Sequence, residues 1–176
     1  MPKEQGFSLL ELVVAAGITA LLSFGLMTAY QNFDKAFLAT AAEQMVTAKL
    51  KQTRQMAATQ RRTLTVTFVG PATLQIAGGQ IMSQEAYVLP GGYAFDQPTD
   101  SPSHPGGATT DLKDKSVSFL GDGSVVDPAT GDPIAGVVYL SKPSDPNQSA
   151  CNAVTVVGAT GHVRSYYLDK GTNVWK

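Results

Sequence analysis

Glu11 stands alone in an apolar run. The sequence around it reads Phe7-Ser-Leu-Leu-Glu-Leu-Val-Val, and no charged residue occurs from Leu12 to Phe33. An acidic side chain at the centre of a membrane-spanning helix costs roughly 2.5–3.5 kcal/mol, less toward the end where Glu11 lies, so it needs a partner. The run itself holds no lysine, arginine or histidine. The partner must come from another chain, from the lipid–water interface or from a new amino terminus. Cleavage between Gly6 and Phe7 would supply the last: a cationic α-amine at Phe7, able to pair with Glu11 of a neighbouring subunit.

The other chemistry-bearing residues are sparse. Asp122, Asp127 and Asp132 recur at intervals of five in Gly-Asp-Gly-Ser-Val-Val-Asp-Pro-Ala-Thr-Gly-Asp-Pro. Calcium takes about six to eight oxygens, which aspartates and loop carbonyls can supply. Asp-Gly and Asp-Pro are equally ordinary turn sequences, and the EF-hand spacing is absent. No cofactor is expected, with calcium as the open alternative. Serine, histidine and aspartate are all present, but no nucleophile motif is, and neither His104 nor His162 lies in a recognisable catalytic setting. His104, in Ser-Pro-Ser-His-Pro-Gly-Gly, reads as an exposed loop residue. The chain is therefore expected not to be an enzyme. The single cysteine, Cys151, excludes an internal disulfide framework and a multi-cysteine zinc site. Lysine and arginine total 13 against 14 aspartates and glutamates, a net charge of −1, and this balance opposes a dedicated nucleic-acid binder.

Four segments must position these residues. Residues 1–6 form a short polar leader. Residues 7–30 form an apolar helix about 36 Å long, enough to cross a hydrocarbon core of roughly 30 Å. The apolar stretch is longer than that of a secretory signal peptide and no small-x-small cleavage site follows it, so the segment reads as retained. The helical pattern continues through residues 31–62, with no proline between Pro2 and Pro71. There Leu38, Ala42, Met45, Val46, Leu50, Thr53, Met56 and Ala57 share one face, a stripe suited to packing on a domain. Lys49 falls within that face, with its ammonium expected to snorkel outward. Glu43, Thr47, Lys51 and Arg54 fall on the other side. Residues 63–176 change to a strand pattern, with strands expected at 63–69, 73–77, 80–89, 116–120, 124–126, 134–140, 153–157 and 162–168. Gly78-Gly79 and Gly158-Ala-Thr-Gly161 read as hairpin turns. Residues 90–114 hold four glycines and four prolines and read as a long irregular loop. The class expected is α+β: a long N-terminal helix, membrane-spanning in its first half, packed on a C-terminal antiparallel β domain.

Charge is partitioned along the chain. Residues 34–62 carry six basic and two acidic side chains, a net +4, and residues 63–176 carry six basic and ten acidic, a net −4. Opposite-sign surfaces on one subunit favour contacts between copies, although screening weakens exposed pairs.

Gly6-Phe7-Ser8-Leu9-Leu10-Glu11-Leu12-Val13-Val14 resembles the type IV prepilin signal: a short leader ending in glycine, then phenylalanine, a small polar residue, two aliphatics, glutamate and an apolar helix. The resemblance implies that a prepilin peptidase cuts after Gly6 and N-methylates Phe7, and that Glu11 is the assembly glutamate. The helix exit Arg54–Phe68, the Val117–Ser124 segment and the Val154–Arg164 hairpin resemble the minor pseudopilin H group of type II secretion and related minor pilins. In some of these a Gly-Arg-x-Arg element contacts DNA. The matching stretch here is Gly161-His162-Val163-Arg164, with histidine in place of one arginine, so a DNA contact through His162 and Arg164 is an alternative that the net −4 of residues 63–176 disfavours. The resemblance implies as partners other pilin or pseudopilin subunits, the prepilin peptidase, an inner-membrane assembly platform and the membrane, with nucleic acid not expected. It implies a single pass of the bacterial cytoplasmic membrane with the C-terminal domain in the periplasm or on a surface filament. A signal-anchored envelope domain that never polymerises is the remaining alternative.

Overall fold

The computed structural model describes residues 9–78, 81–99, 101–145 and 150–176. Among the described residues one α-helix, α1 (Leu9–Gln60), precedes ten strands. By contacts the chain divides into two units, Met1–Ala36 and Phe37–Lys176.

In the first unit α1 presents apolar side chains all round. Leu9, Leu12, Val13, Ile18, Leu21, Leu22 and Phe24 are exposed, and none of the stretch Leu9–Met27 is buried. Two of its hydroxyls are satisfied within the helix: Thr19 Oγ1 donates to the Ala15 carbonyl at 2.7 Å and Ser23 Oγ to the Thr19 carbonyl at 2.8 Å. Such back-bonding leaves neither hydroxyl hydrogen demanding water, which suits a lipid-facing helix.

In the second unit residues 37–60 of α1 bury Ala39, Ala42, Val46, Leu50, Thr53 and Ala57 at three- and four-residue spacing, with Leu38, Met45 and Met56 packed at the margin. Thr53 tolerates burial because its hydroxyl returns to the Lys49 carbonyl at 2.8 Å. The helix ends where Arg61 takes a left-handed φ of 50° and Arg62 N–H reaches back to the Ala57 carbonyl at 3.1 Å, the six-to-one bond of a Schellman cap.

Two five-stranded sheets follow. The first has the order β3-β2-β1-β5-β6, from β1 (Leu64–Val69), β2 (Thr73–Gly78), β3 (Ile81–Val88), β5 (Ser116–Phe119) and β6 (Val125–Val126). Leu64, Val66 and Phe68 alternate inward along β1, while outward hydroxyls pair across to β5, Thr65 with Ser118 and Thr67 with Ser116, each at 2.8 Å. The second sheet has the order β10-β9-β8-β7-β4, from β4 (Thr110–Asp111), β7 (Gly136–Leu140), β8 (Asn152–Val157), β9 (His162–Asp169) and β10 (Val174–Trp175). β7 is buried throughout, as a continuous Gly-Val-Val-Tyr-Leu run requires. Val138 and Leu140 join the main core with the helix stripe, and Val137, Tyr139 and Ala153 form a smaller cluster with Ala108, Tyr166 and Trp175.

Two expectations are corrected here. The β domain is not wholly antiparallel, because β4 pairs with β7 in parallel, Thr110 opposite Gly136. The described residues of the 90–114 segment are largely irregular, as expected, yet they contribute to the core. Two Pro-Gly-Gly 3-10 turns, Pro90–Gly92 and Pro105–Gly107, fold it inward. Tyr93, Phe95 and Leu112 are buried in the main core, and Phe95 meets Phe68 edge-on at 5.3 Å. His104 is half-buried rather than exposed, because its Nδ1 shares a hydrogen bond with the Tyr139 hydroxyl.

Candidate functional site

Of the sequence-derived site residues, Gly6 and Phe7 lie outside the described residues. Glu11 lies in the first turn of α1 and is exposed, flanked by exposed Leu10 and Leu12. An acid near a helix N-terminus interacts favourably with the macrodipole, which offsets part of its cost in an apolar surrounding. The nineteen residues Leu9–Met27 span about 28 Å at helical rise, close to a hydrocarbon thickness.

The three aspartates do not converge. Asp122 Oδ1 accepts from Ser124 N at 2.9 Å and Ser124 Oγ at 2.6 Å. These bonds, the hydroxyl's first, hold its carboxyl below the usual carboxylate range. Asp127 Oδ1 accepts from Ala129 N at 2.8 Å, and Asp132 receives its local bond on the backbone, N–H to Thr130 Oγ1 at 3.2 Å. Two of the carboxylates thus close turns of their own. Among the described residues no group of three or more His, Cys, Asp or Glu side chains is placed to hold a metal ion.

Two residues on the side of α1 opposite the stripe, Glu43 and Arg54, hydrogen-bond to the β domain. Glu43 Oε2 accepts from Asn152 Nδ2 at 2.8 Å, and Asn152 is itself buried at the start of β8. Arg54 Nε donates to the Gly123 carbonyl at 3.2 Å and Nη2 to the Thr160 carbonyl at 2.9 Å. Lys49 does not snorkel away: its Nζ lies 3.9 Å from the centre of the Tyr87 ring, a cation–π contact. Both turns beneath Arg54 need glycine. Gly123 and Gly161 have φ of 85° and 60°, and a Cβ at 161 would strike the Gly123 carbonyl oxygen and approach Arg54 Nε to 2.8 Å.

The result is a cleft of about 530 Å³ between α1 and the two glycine turns, walled by Lys51, Arg54, Gln55, Asp122 and His162. A second hollow of about 420 Å³ shares Arg54 and His162 and extends to Arg164. Sequence reasoning placed His162 and Arg164 together, but it missed Lys51 and Arg54. The signal that could have found them is a basic i, i+3 pair beside a stripe that must meet a glycine-turn domain.

A family model described as the prokaryotic N-terminal methylation motif matches residues 1–27. Residues 1–27 carry a type IV prepilin-like signal. No curated protein and no solved structure matches the chain. A prepilin-like protein is processed by a peptidase and associates with other pilin subunits, and the family is structural rather than enzymatic. In a prepilin-like chain the single apolar helix beginning at Leu9 is a membrane anchor, and helix plus sheets form a pilin-like α+β architecture. The match covers the leader, Glu11 and the apolar helix and ends before the amphipathic stripe and the β domain.

Proposed function

We propose that the chain is a minor pilin or pseudopilin subunit of a type IV pilus or a type II secretion pseudopilus. The reading rests on one observation: the N-terminal methylation motif runs directly into an apolar, wholly exposed helix that carries a lone Glu11. The peptidase removes Met1 to Gly6 and methylates the new Phe7 amine. The helix holds the subunit in the cytoplasmic membrane with the β domain on the outer side. On assembly the helix leaves lipid for a core of like helices, and Glu11 of one subunit pairs with the Phe7 amine of the next, which offsets the desolvation of both.

The test is N-terminal sequencing and intact mass of protein taken from its native membrane, followed by Glu11→Gln in a strain lacking the wild-type copy. Mature protein should begin at methyl-Phe7. Glu11→Gln should be cleaved normally and fail to enter filaments. A mature chain that still starts at Met1, or full function of the Gln variant, would remove this reading.

A further inference from the structure

The two hollows beside α1 gather cationic groups from separate parts of the chain, Lys51 and Arg54 from the helix and Arg164 from the start of β9, with the His162 imidazole between them on the lining. The arrangement is built rather than incidental. Arg54 is held by two carbonyls on two different turns, and those turns approach one another at Gly161, where a Cβ would collide with the Gly123 carbonyl oxygen. A guanidinium has five N–H donors in a planar fork. Among the described residues two of Arg54's donors are engaged, so the fork is fixed in direction with donors to spare. Lys51 and Arg164 are exposed and have no acidic side chain in ion-pair range among the described residues. The one carboxylate on the wall, Asp122, spends Oδ1 on the amide and hydroxyl of its own turn.

We propose that this cleft receives an acidic peptide segment of a neighbouring protein subunit, whose carboxylates pair with the Arg54 fork, Lys51 and Arg164. The inference rests on the filament-subunit reading, which brings the globular parts of adjacent subunits together at high local concentration. Its chemistry follows from the charge partition of the molecule: residues 34–62 are net +4 and residues 63–176 net −4. A subunit built in this way offers a basic socket and acidic surface at different places. Contacts between unlike patches are heterologous and propagate into open helical arrays rather than closing into dimers. Carboxylates are favoured over a phosphate backbone because the cleft is short. The surrounding domain is also net acidic, which opposes the long cationic track that nucleic acid requires.

The test is zero-length cross-linking of full-length protein in its native filament-bearing membranes. A water-soluble carbodiimide joins amines to carboxylates in contact, and mass spectrometry locates the joined peptides. The Lys113–Asp96 pair, 2.8 Å apart, serves as the internal control. Lys51 should be joined to an Asp or Glu of a different subunit, and Lys51→Arg should lose the link while assembling normally. The double variant Lys51→Glu, Arg164→Glu changes two exposed side chains. It should remain folded, be processed to methyl-Phe7, and enter filaments about tenfold less or worse. Lys51 joined only to its own Asp122, or left unjoined while the control pair reacts, overturns the proposal. So does normal assembly of the double variant. Salt-sensitive binding of a 20-nucleotide single-stranded DNA by the detergent-solubilised chain, lost in the double variant with no Lys51 link, overturns it in favour of nucleic acid. Unprocessed wild-type protein, by contrast, would sink the filament reading itself.

Discussion

Residues 9–36 and 37–60 belong to one continuous helix yet answer to different solvents. The first stretch has apolar residues on every side and none of Leu9–Met27 buried, and the second buries one stripe and leaves the rest polar. Helix formation is common to both, since good helix formers fill each and proline is absent from Pro2 to Pro71. What separates them is where apolar surface can go. A helix apolar all round demands lipid or other helices. A helix with a stripe demands a sheet, and here it finds one.

The comparison breaks most visibly under truncation. Removing residues 1–36 should give a soluble, monomeric product with mixed helix and strand by circular dichroism, because none of the described core residues lies in that stretch. Removing residues 1–62 also strips Ala42, Val46, Leu50 and Ala57 from the core, and the product should aggregate as the sheet faces are uncovered. Equal solubility of the two products would mean that the stripe is not part of the core.

Single leucines sharpen the same contrast. Leu50 is fully buried and Leu21 is 77% exposed. Leu50→Ala should lower the unfolding free energy of the β-containing unit by about 2–5 kcal/mol, the cost of lost burial plus a cavity. Leu21→Ala should leave the urea midpoint of that unit unchanged.

Alkaline pH should loosen the second unit alone. Burial, the largest cause, pushes the Tyr93 and Tyr139 hydroxyls from 10.0 up to about 12 and the Cys151 thiol from 9.0 up to about 11. The unfolded chain releases these protons at lower pH than the folded one. The stability they represent is therefore complete below about pH 9 and is lost as pH rises through 11 to 12. Urea midpoints should fall over that window, and tyrosinate absorbance should show two of the six tyrosines ionising only as the unit opens. Midpoints that stay flat to pH 12 would contradict this burial.

The smallest expected effect sits where the helix ends. Arg61 occupies the left-handed position that usually belongs to glycine, so Arg61→Gly should stabilise the second unit by about 0.5–1 kcal/mol. Thermal unfolding would detect it, and a loss of stability would mean that the Arg61 side chain contributes more than its backbone costs.

The legible parts were those with a repeat long enough to read. The stripe from Leu38 to Ala57 and the alternation in β1 come from periodicities that survive translation into burial. The illegible parts depend on distant partners. β4 has two residues and no period, and its parallel pairing is decided by β7, some twenty-five residues later. Ala94 bridges Ser141, and nothing local to either announces it. The contacts of Glu43 and Arg54 were missed for a related reason: a helical angle tells which way a side chain leaves the axis, but not how far a long polar one can reach around to a sheet. The prepilin-like signal of residues 1–27 was legible because its chemistry is contiguous, whereas the basic cleft is assembled from residues more than a hundred positions apart.

Trp175 gives the molecule an optical property. It is the only tryptophan in the chain, and its ring lies 5.7 Å from that of Tyr139, close enough for light absorbed by the phenol to re-emerge from the indole. Emission excited through tyrosine therefore reads whether β10 is seated on the second sheet. Because α1 contains no indole, that glow is blind to whether the apolar helix rests in detergent, in lipid or against its neighbours, and the globular unit can be followed by fluorescence while its anchor changes surroundings.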